Sequence, residues 1–507
     1  MNEQEIDSIF TIKEVTNVDC QIFVYDNQIL FHPILPCVAD ALTITEKSLE
    51  CSAETGFVRK VMFRSREMFS TCQRQPGTIG VTFQGFLHRI LKVLVKKGFT
   101  FNVQDLRVAK SYNGEFPRPD FSLMYGFRFS QEELLKEFLS ADMSGLIGAP
   151  TRYGKTTLMI NTLRAFPNLV TVVTAPGVDL VRQLYEDIRS QIRNREVKLI
   201  CSGSRVKYPS DTGITVCSAD SLDKCDFGST ELLLADEPHA LVTEGRIRMI
   251  DKFPKARRLG FGATLTGRFD GKDALIEGLF GPVIVERTYK EAVDEGAICP
   301  LHIIFLKVEV QPQPYRDRDA AYDDLLFKSS TMANLTKDIC EYVIPQEWQT
   351  LIFIKHEPQA ELFLEAIGES HTIAMAKRMN KSQREEIAEM MRKNVIKRCL
   401  CTKIYVQGVT FSDVRVLINA EAGGNNTSAI QKPGRLAEIR PNKKCGIVID
   451  FMFVPPDDVS LSEYSGDPWT CPCKDSLSRL KAYQDKGYEI HEVDTIEELK
   501  RVFDSIA

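Results

Sequence analysis

From about Ser144 the chain alternates short aliphatic and β-branched runs with stretches whose apolar positions recur every three or four residues. SGLIG, LVTVVTAP, GITVC, ELLLADE and RRLGFG have the length and continuity of buried strands, and the segments after the first two carry helical periodicity. Strands alternating with helices predict a parallel α/β sheet. A second series follows the irregular polar stretch QPQPYRDRDAAYDD, with strands in QTLIFIK, HTIAMA, IKRCLCT, VRVLINA and CGIVIDF and helices in PQAELFLEAI and KSQREEIAEMMRKN. Two α/β units in tandem are expected.

The first 115 residues differ in style. DCQIFVYDNQILFH and FVRKVMFR read as strands, and FQGFLHRILKVLVKKG as a helix with one apolar face and Arg89, Lys92, Lys96 and Lys97 on its polar side. Those charges are either a solvated face or, with Arg59, Lys60, Arg64 and Arg66, a surface that tracks phosphates. The resulting division is a small α/β domain over 1–115, one α/β domain over 116–308, a second over 309–455, and an extension over 456–507.

Composition narrows the class. A chain of 507 residues predicts roughly three to four domains. With 43% hydrophobic and 26% charged residues it reads as a soluble globular protein, and no run approaches the ~18 apolar residues of a membrane span. The acidic start MNEQEIDSIF lacks the apolar segment of a secretory signal, so a cytoplasmic location is expected. A net charge of −5 gives no global basic signature, which leaves local basic patches free to bind nucleic acid. The 14 cysteines are scattered; Cys471 and Cys473 in TCPCKD come nearest to a zinc pair but have no second pair, so reduced structural thiols are the simpler reading.

The chemistry centres on Ala149-Pro150-Thr151-Arg152-Tyr153-Gly154-Lys155-Thr156-Thr157, where an apolar strand ends in a loop that runs into a helix. In that context the loop amides and the helix N-terminus are expected to bind phosphate oxygens, Lys155 to reach the β and γ phosphates, and Thr156 to ligate magnesium. Arg152 and Tyr153 stand where smaller residues are usual, which a loop working through its backbone tolerates. Downstream, the run ELLLADEPHA delivers Asp236 and Glu237 to the end of a strand, Asp236 as a magnesium ligand and Glu237 as a general base.

With these motifs the chain resembles a superfamily 2 helicase of the DExH kind over about residues 120 to 455. Phe127-Arg128-Phe129-Ser130-Gln131 is similar to the family's adenine-reading motif, which implies Gln131, with Arg128, at the base. TAPGVDLVRQ resembles motif Ia and implies strand contacts from Pro176 and Gln183; CSADSL resembles the strand-contact motif after it. GFGATLTGR is similar to motif III, with Gly262 in place of Ser and Thr264 in the coupling role. LFGPVIVERTYKEAVDEGAICP resembles the bridge between lobes, and TLIFIKHEPQAELFLEAI motif IV, with Lys355 and His356 toward nucleic acid. CTKIYVQGVTFSDVRV resembles motif V, where Thr402 would touch the strand and Gly408 the nucleotide, and Thr410 stands where Asp is more usual. AIQKPGRLAEIRP resembles motif VI: Gln431, Gly434 and Arg435 match, Glu438 stands where an arginine is expected, and Arg440 lies two residues on. The resemblance implies an arginine finger at Arg435 or Arg440, harmed by Glu438 unless that carboxylate points away, and a coupling role for His239.

The resemblance implies two RecA-like domains that use ATP and magnesium and close on the nucleotide as they step along a strand. It extends to phage branch-migration helicases of the UvsW type, on the helix LHRILKVLVKKGFTFNV and the C-terminal helix LSRLKAYQDKGYEI, implying branched DNA such as forks, Holliday junctions, D-loops or R-loops as substrate and a host cytoplasm as location. An RNA helicase would share every nucleotide motif, and an ATP-gated clamp that does not unwind fits the altered motifs III, V and VI. A metabolic P-loop kinase would have no use for QKPGR.

Overall fold

Thr171–Ala175, Leu232–Asp236 and Arg257–Gly262 are strands because their aliphatic and β-branched residues are buried on both faces, the condition that produces continuous apolar runs. A computed structural model of the chain describes it apart from residues 1–17, 27, 52–57, 72–78, 108–115, 142, 202–212, 254, 264, 266–271, 369–371, 376–380, 403–413, 424–428, 431, 442 and 465, and apart from the side chains of 47–51, 58–63, 375, 381 and 384. The three strands sit inside a seven-stranded sheet in the order Val197–Ile200, Ile214–Ser218, Thr171–Ala175, Leu232–Asp236, Arg257–Gly262, Gly145–Gly148, Val283–Glu286. All its neighbours pair in parallel, so every strand points the same way.

The second lobe repeats the plan, with seven parallel strands in the order Thr372–Met375, Arg398–Cys401, Gln349–Phe353, Val414–Asn419, Gly446–Val454, Leu301–Glu309, Glu489–Val493. Two of these strands differ from the division drawn on sequence. Leu301–Glu309 pairs along its whole length with Gly446–Val454, so the second sheet begins before residue 309. Glu489–Val493 is the sheet's edge strand, so the segment after 455 is part of the second lobe. Helix Cys471–Lys486 reinforces the point, because its Arg479 and Tyr483 are buried and both bond the carboxylate of Asp450 inside the sheet, at 3.1 and 3.0 Å.

The N-terminal unit is a five-stranded mixed sheet ordered Phe69–Thr71, Gly80–Phe83, Gln28–His32, Cys20–Val24, Phe101–Asp105, with a two-stranded ribbon Thr43–Cys51/Val58–Glu67 and the helix Leu87–Lys97. Its core merges with the first lobe: Ile22, Phe86 and Ile90 share one apolar cluster with Leu275, Leu279 and Phe280. Each such side chain contributes about 1.5–3 kcal/mol by leaving water. Arg89 is therefore not a phosphate-tracking charge. Its guanidinium holds Glu277 of the first lobe, with Nε at 3.1 Å from Oε1, and donates to the carbonyl of Ala41. Lys92, Lys96 and Lys97 remain exposed. No helix among the described residues is long and apolar enough to cross a membrane. Cys471 and Cys473 are free thiols at the start of their helix.

Candidate nucleotide site between the two lobes

Parallel strands bring their C-terminal ends to one edge, where open α/β sheets bind ligands. At that edge of the first lobe, Gly145–Gly148 leads into the loop and helix Lys155–Ala165. Gly154 turns the chain at φ +103°, a left-handed conformation that costs glycine little, and it has no side chain to cap the helix, whose first-turn amides remain suited to an anion. A Cβ at this position would meet Gln131 Nε2 at 2.4 Å.

Gln131 is used differently from the sequence expectation. It is buried, its Oε1 accepts from the Arg128 amide at 2.9 Å, and its Nε2 donates to the Tyr153 carbonyl, so the amide braces the phosphate loop instead of offering a free edge to a base. Tyr153 also acts through its side chain: the ring is buried in the lobe core, and its hydroxyl pairs with Ser130 Oγ at 3.0 Å, which in turn donates to Glu295. Arg128 contributes its backbone, and Ala149 continues the sheet through a 2.9 Å bond to Gly262.

Two strands away, Leu232–Asp236 ends in a turn where Glu237 adopts φ +51° and donates its amide to Phe261 at 2.9 Å. This aims its carboxylate back at the loop. Lys155 Nζ lies 3.4 Å from Oε1, and His239 Nδ1 lies 3.3 Å from Oε2. The neighbouring acids diverge. Burial, then the charge of Glu237, pushes the Asp236 carboxyl up, whereas Glu237 is pulled below the usual carboxylate range because Lys155 and His239 outweigh its own burial. Asp236 is thus a half-buried acid pushed toward its neutral form.

From the second lobe, the turn Pro433–Arg435 packs onto the loop. A Cβ on Gly434 would lie 2.7 Å from Cβ of Thr151, so glycine is what lets the lobes approach. Arg435 stands across from Arg152, and burial together with that like charge holds its pKa down to about 10. Arg152 itself, at φ +72°, places Nη1 3.5 Å from Oε2 of Glu438. Glu438 therefore does not point away, as the sequence reading required. Its other oxygen accepts from Arg440, which ties Arg440 to its own segment and makes it a poor candidate for the finger. A cavity lined by Ala149, Pro150, Thr151, Ile430, Gly434 and Ala437 joins the two halves.

Other expected residues are spread more widely. Pro176, Lys355, His356 and Thr402 follow the C-terminal ends of strands, and Gln183 is exposed on the helix Val178–Gln191. Lys355 pairs with Glu421 at 3.8 Å, and His356 caps the helix Glu357–Ile367 by accepting from the Gln359 amide at 3.4 Å, a structural employment in place of a strand contact. Thr156 and Thr157 open the loop helix. Arg64 and Arg66 are exposed on the N-terminal ribbon, Arg66 bonding Glu46 at 2.8 Å. Thr264, Gly408, Thr410 and Gln431, and the side chains of Arg59 and Lys60, lie outside the described residues. Sequence reasoning missed a network that holds the Arg435 turn. Buried Lys432 reaches Glu421 at 2.9 Å and Asn419 at 2.6 Å, and Asn419 bonds Asp450 at 2.9 Å. The lysine in QKPGR was its one visible trace.

Two family models match where these lobes lie: the type III restriction enzyme res subunit over residues 125–267 and the helicase conserved C-terminal domain over 334–440. The two matches together indicate a superfamily 2 helicase. Such helicases hydrolyse ATP and act on nucleic acid. Among relatives, the putative helicase 22 of Sulfolobus islandicus filamentous virus (isolate Iceland/Hveragerdi) is 22% identical over 61% of this chain and 60% of its own length. The DNA 3'-5' translocase XPB2 of Sulfurisphaera tokodaii is 24% identical over 71% of this chain and 89% of its own. The crystal structure of T4 UvsW aligns with 94% of this chain and 99% of its own at 14% identity and a TM-score of 0.39.

Proposed function

We propose that this helicase is an ATP-driven DNA translocase that remodels branched DNA by closing and opening the cleft between its lobes. The observation that carries the reading is that Lys155 and Glu237 pair at the end of the first sheet while Gly434, in the turn that holds Arg435, packs on Thr151 of the adjoining loop, beside a cavity lined from both lobes. A triphosphate bound between the loop and that turn would favour the closed state, and loss of its γ phosphate would release it.

The residues suit the chemistry. Asp236, half-buried and pushed toward its neutral form, fits a divalent cation held with the Thr156 hydroxyl, and magnesium there would offset charge on the phosphate oxygens. Lys155 has two alternative partners, Glu237 and the phosphates. As it turns to the phosphates, Glu237 loses the ammonium that suppresses its basicity and becomes able to take the proton of the attacking water. That water's oxygen bonds to the γ phosphorus while the bond to the ADP oxygen breaks, and Arg435 stabilises the charge on the transferred group. His239, 3.3 Å from the same carboxylate, would report the change to the strand site. The N-terminal unit supplies the second DNA contact: Arg64 and Arg66, two residues apart on a strand, share one face of the exposed ribbon.

The test is ATP turnover with no nucleic acid, duplex DNA, branched DNA and RNA, followed by conversion of a panel of forks and four-way junctions. Stimulation greatest with branched DNA, and ATP-dependent conversion, are expected. Preference for RNA, or turnover without any conversion, would replace this reading with an RNA helicase or a clamp.

A further inference from the structure

The outer edge of the second lobe carries a cluster that the nucleotide site does not use. Strand Glu489–Val493 pairs in parallel with Leu301–Glu309, setting Glu489 beside His302 and His491 beside Ile304. Side chains alternate with period two, so this register puts His302, Glu489 and His491 on one face of the sheet. Nδ1 of His302 lies 3.4 Å from one oxygen of Glu489, and Nε2 of His491 lies 3.6 Å from the other. The two imidazoles stand 5.8 Å apart with planes inclined by 23°. One donor atom from each of the three residues lies within 4.8 Å of the other two.

These ring nitrogens are buried and have no hydrogen-bond partner among the described residues. Leaving a buried polar atom unsatisfied costs about 1–3 kcal/mol. A cation placed among the three groups satisfies all of them.

We propose that His302, Glu489 and His491 bind a divalent late transition metal, zinc foremost. Zinc takes imidazole nitrogen and carboxylate oxygen at about 2.0–2.2 Å, which in a tetrahedral shell separates two donors by roughly 3.4 Å. That spacing already holds between His302 and Glu489. Two imidazoles with one carboxylate select against magnesium and calcium, which prefer oxygen shells. Glu489 is 63% exposed, leaving the fourth position to water. The metal would rivet the edge strand to its neighbour. Asp485, Lys486 and Tyr488, just upstream, line the interlobe cavity, so the rivet also fixes one border of the cleft.

The experiment uses the full chain, stripped with a chelator and titrated with zinc by calorimetry, then with cobalt while the visible spectrum is read. One high-affinity equivalent is expected, lost in the His302→Ala/His491→Ala variant and weakened at least about tenfold by Glu489→Gln. Because Glu489 is exposed, that second variant keeps its fold, which an unchanged ATPase rate in excess magnesium without zinc verifies. Cobalt should give a tetrahedral spectrum free of thiolate absorption, which separates this site from the 14 cysteines. Absence of the equivalent in the unmodified protein, the same stoichiometry in the double variant, or thiolate-to-cobalt absorption would overturn the proposal.

Discussion

Arg152 of the phosphate loop reaches across the cleft to Glu438 of the opposite lobe, 3.5 Å away, and both stand where the family pattern has a different residue. The two departures answer each other. The Glu438 carboxylate holds the Arg152 guanidinium of the first lobe beside Arg435 of the second.

Removing that carboxylate should favour anions. Glu438→Gln leaves Arg152 and Arg435 facing each other with less negative charge between them, so ATP affinity should rise about two- to fivefold, in keeping with a half-exposed ion pair. Arg152→Ala should weaken it. Titration with a fluorescent nucleotide decides; weaker binding in Glu438→Gln would mean the carboxylate helps to build the site.

Lys155→Ala should abolish turnover and leave DNA affinity largely intact, because the ammonium beside Glu237 is the group proposed to take the phosphates. Normal hydrolysis in this variant would sink the assignment of the loop. The DNA arm is read by filter binding.

For Glu237→Gln, turnover should fall by about 10²–10⁴ while nucleotide still binds, the signature of a lost general base. Single-turnover hydrolysis measured beside nucleotide affinity separates the two effects. Loss of binding with no change in the bound rate would count against the role.

Arg435→Ala should lower kcat by about 10²–10³, the cost of losing one preorganised donor to a developing charge. Arg440→Ala should do much less, since Arg440 is spent on Glu438. Equal losses would show that the turn works as one unit and that the finger is not resolved to one residue.

The second lobe should depend on Arg479 for stability. Its guanidinium, 1% exposed, meets fully buried Asp450 at 3.1 Å. Arg479→Met strands that carboxylate and should cost about 3–5 kcal/mol, visible as a lower urea midpoint.

Most strands of both lobes and the strand-to-helix loop were legible because each is local. LLLAD is a buried run ending in an acid, and APTRYGKT is a strand-to-helix turn whose conformation rests on Gly154. Leu301–Glu309 and Glu489–Val493 were missed for the opposite reason. Half-exposed positions such as Glu489 and His491 break the apolar run of the edge strand, and both strands pair with segments far apart in the chain. Glu438 was misjudged because its partner lies on the other lobe, and Gln131 because the loop it braces is 22 residues away. Long-range partners leave no period in a sequence.

Leu301–Glu309 lies between Gly446–Val454 and Glu489–Val493, so the strand that opens the second sheet is flanked by the two made last. A ribosome must release the chain past residue 446 before that strand finds either neighbour, whereas every strand of the first sheet is available by residue 286. Synthesis therefore yields a completed anterior half carrying an unfinished posterior one, a window in which a bare strand margin is open to chaperones or to mispairing.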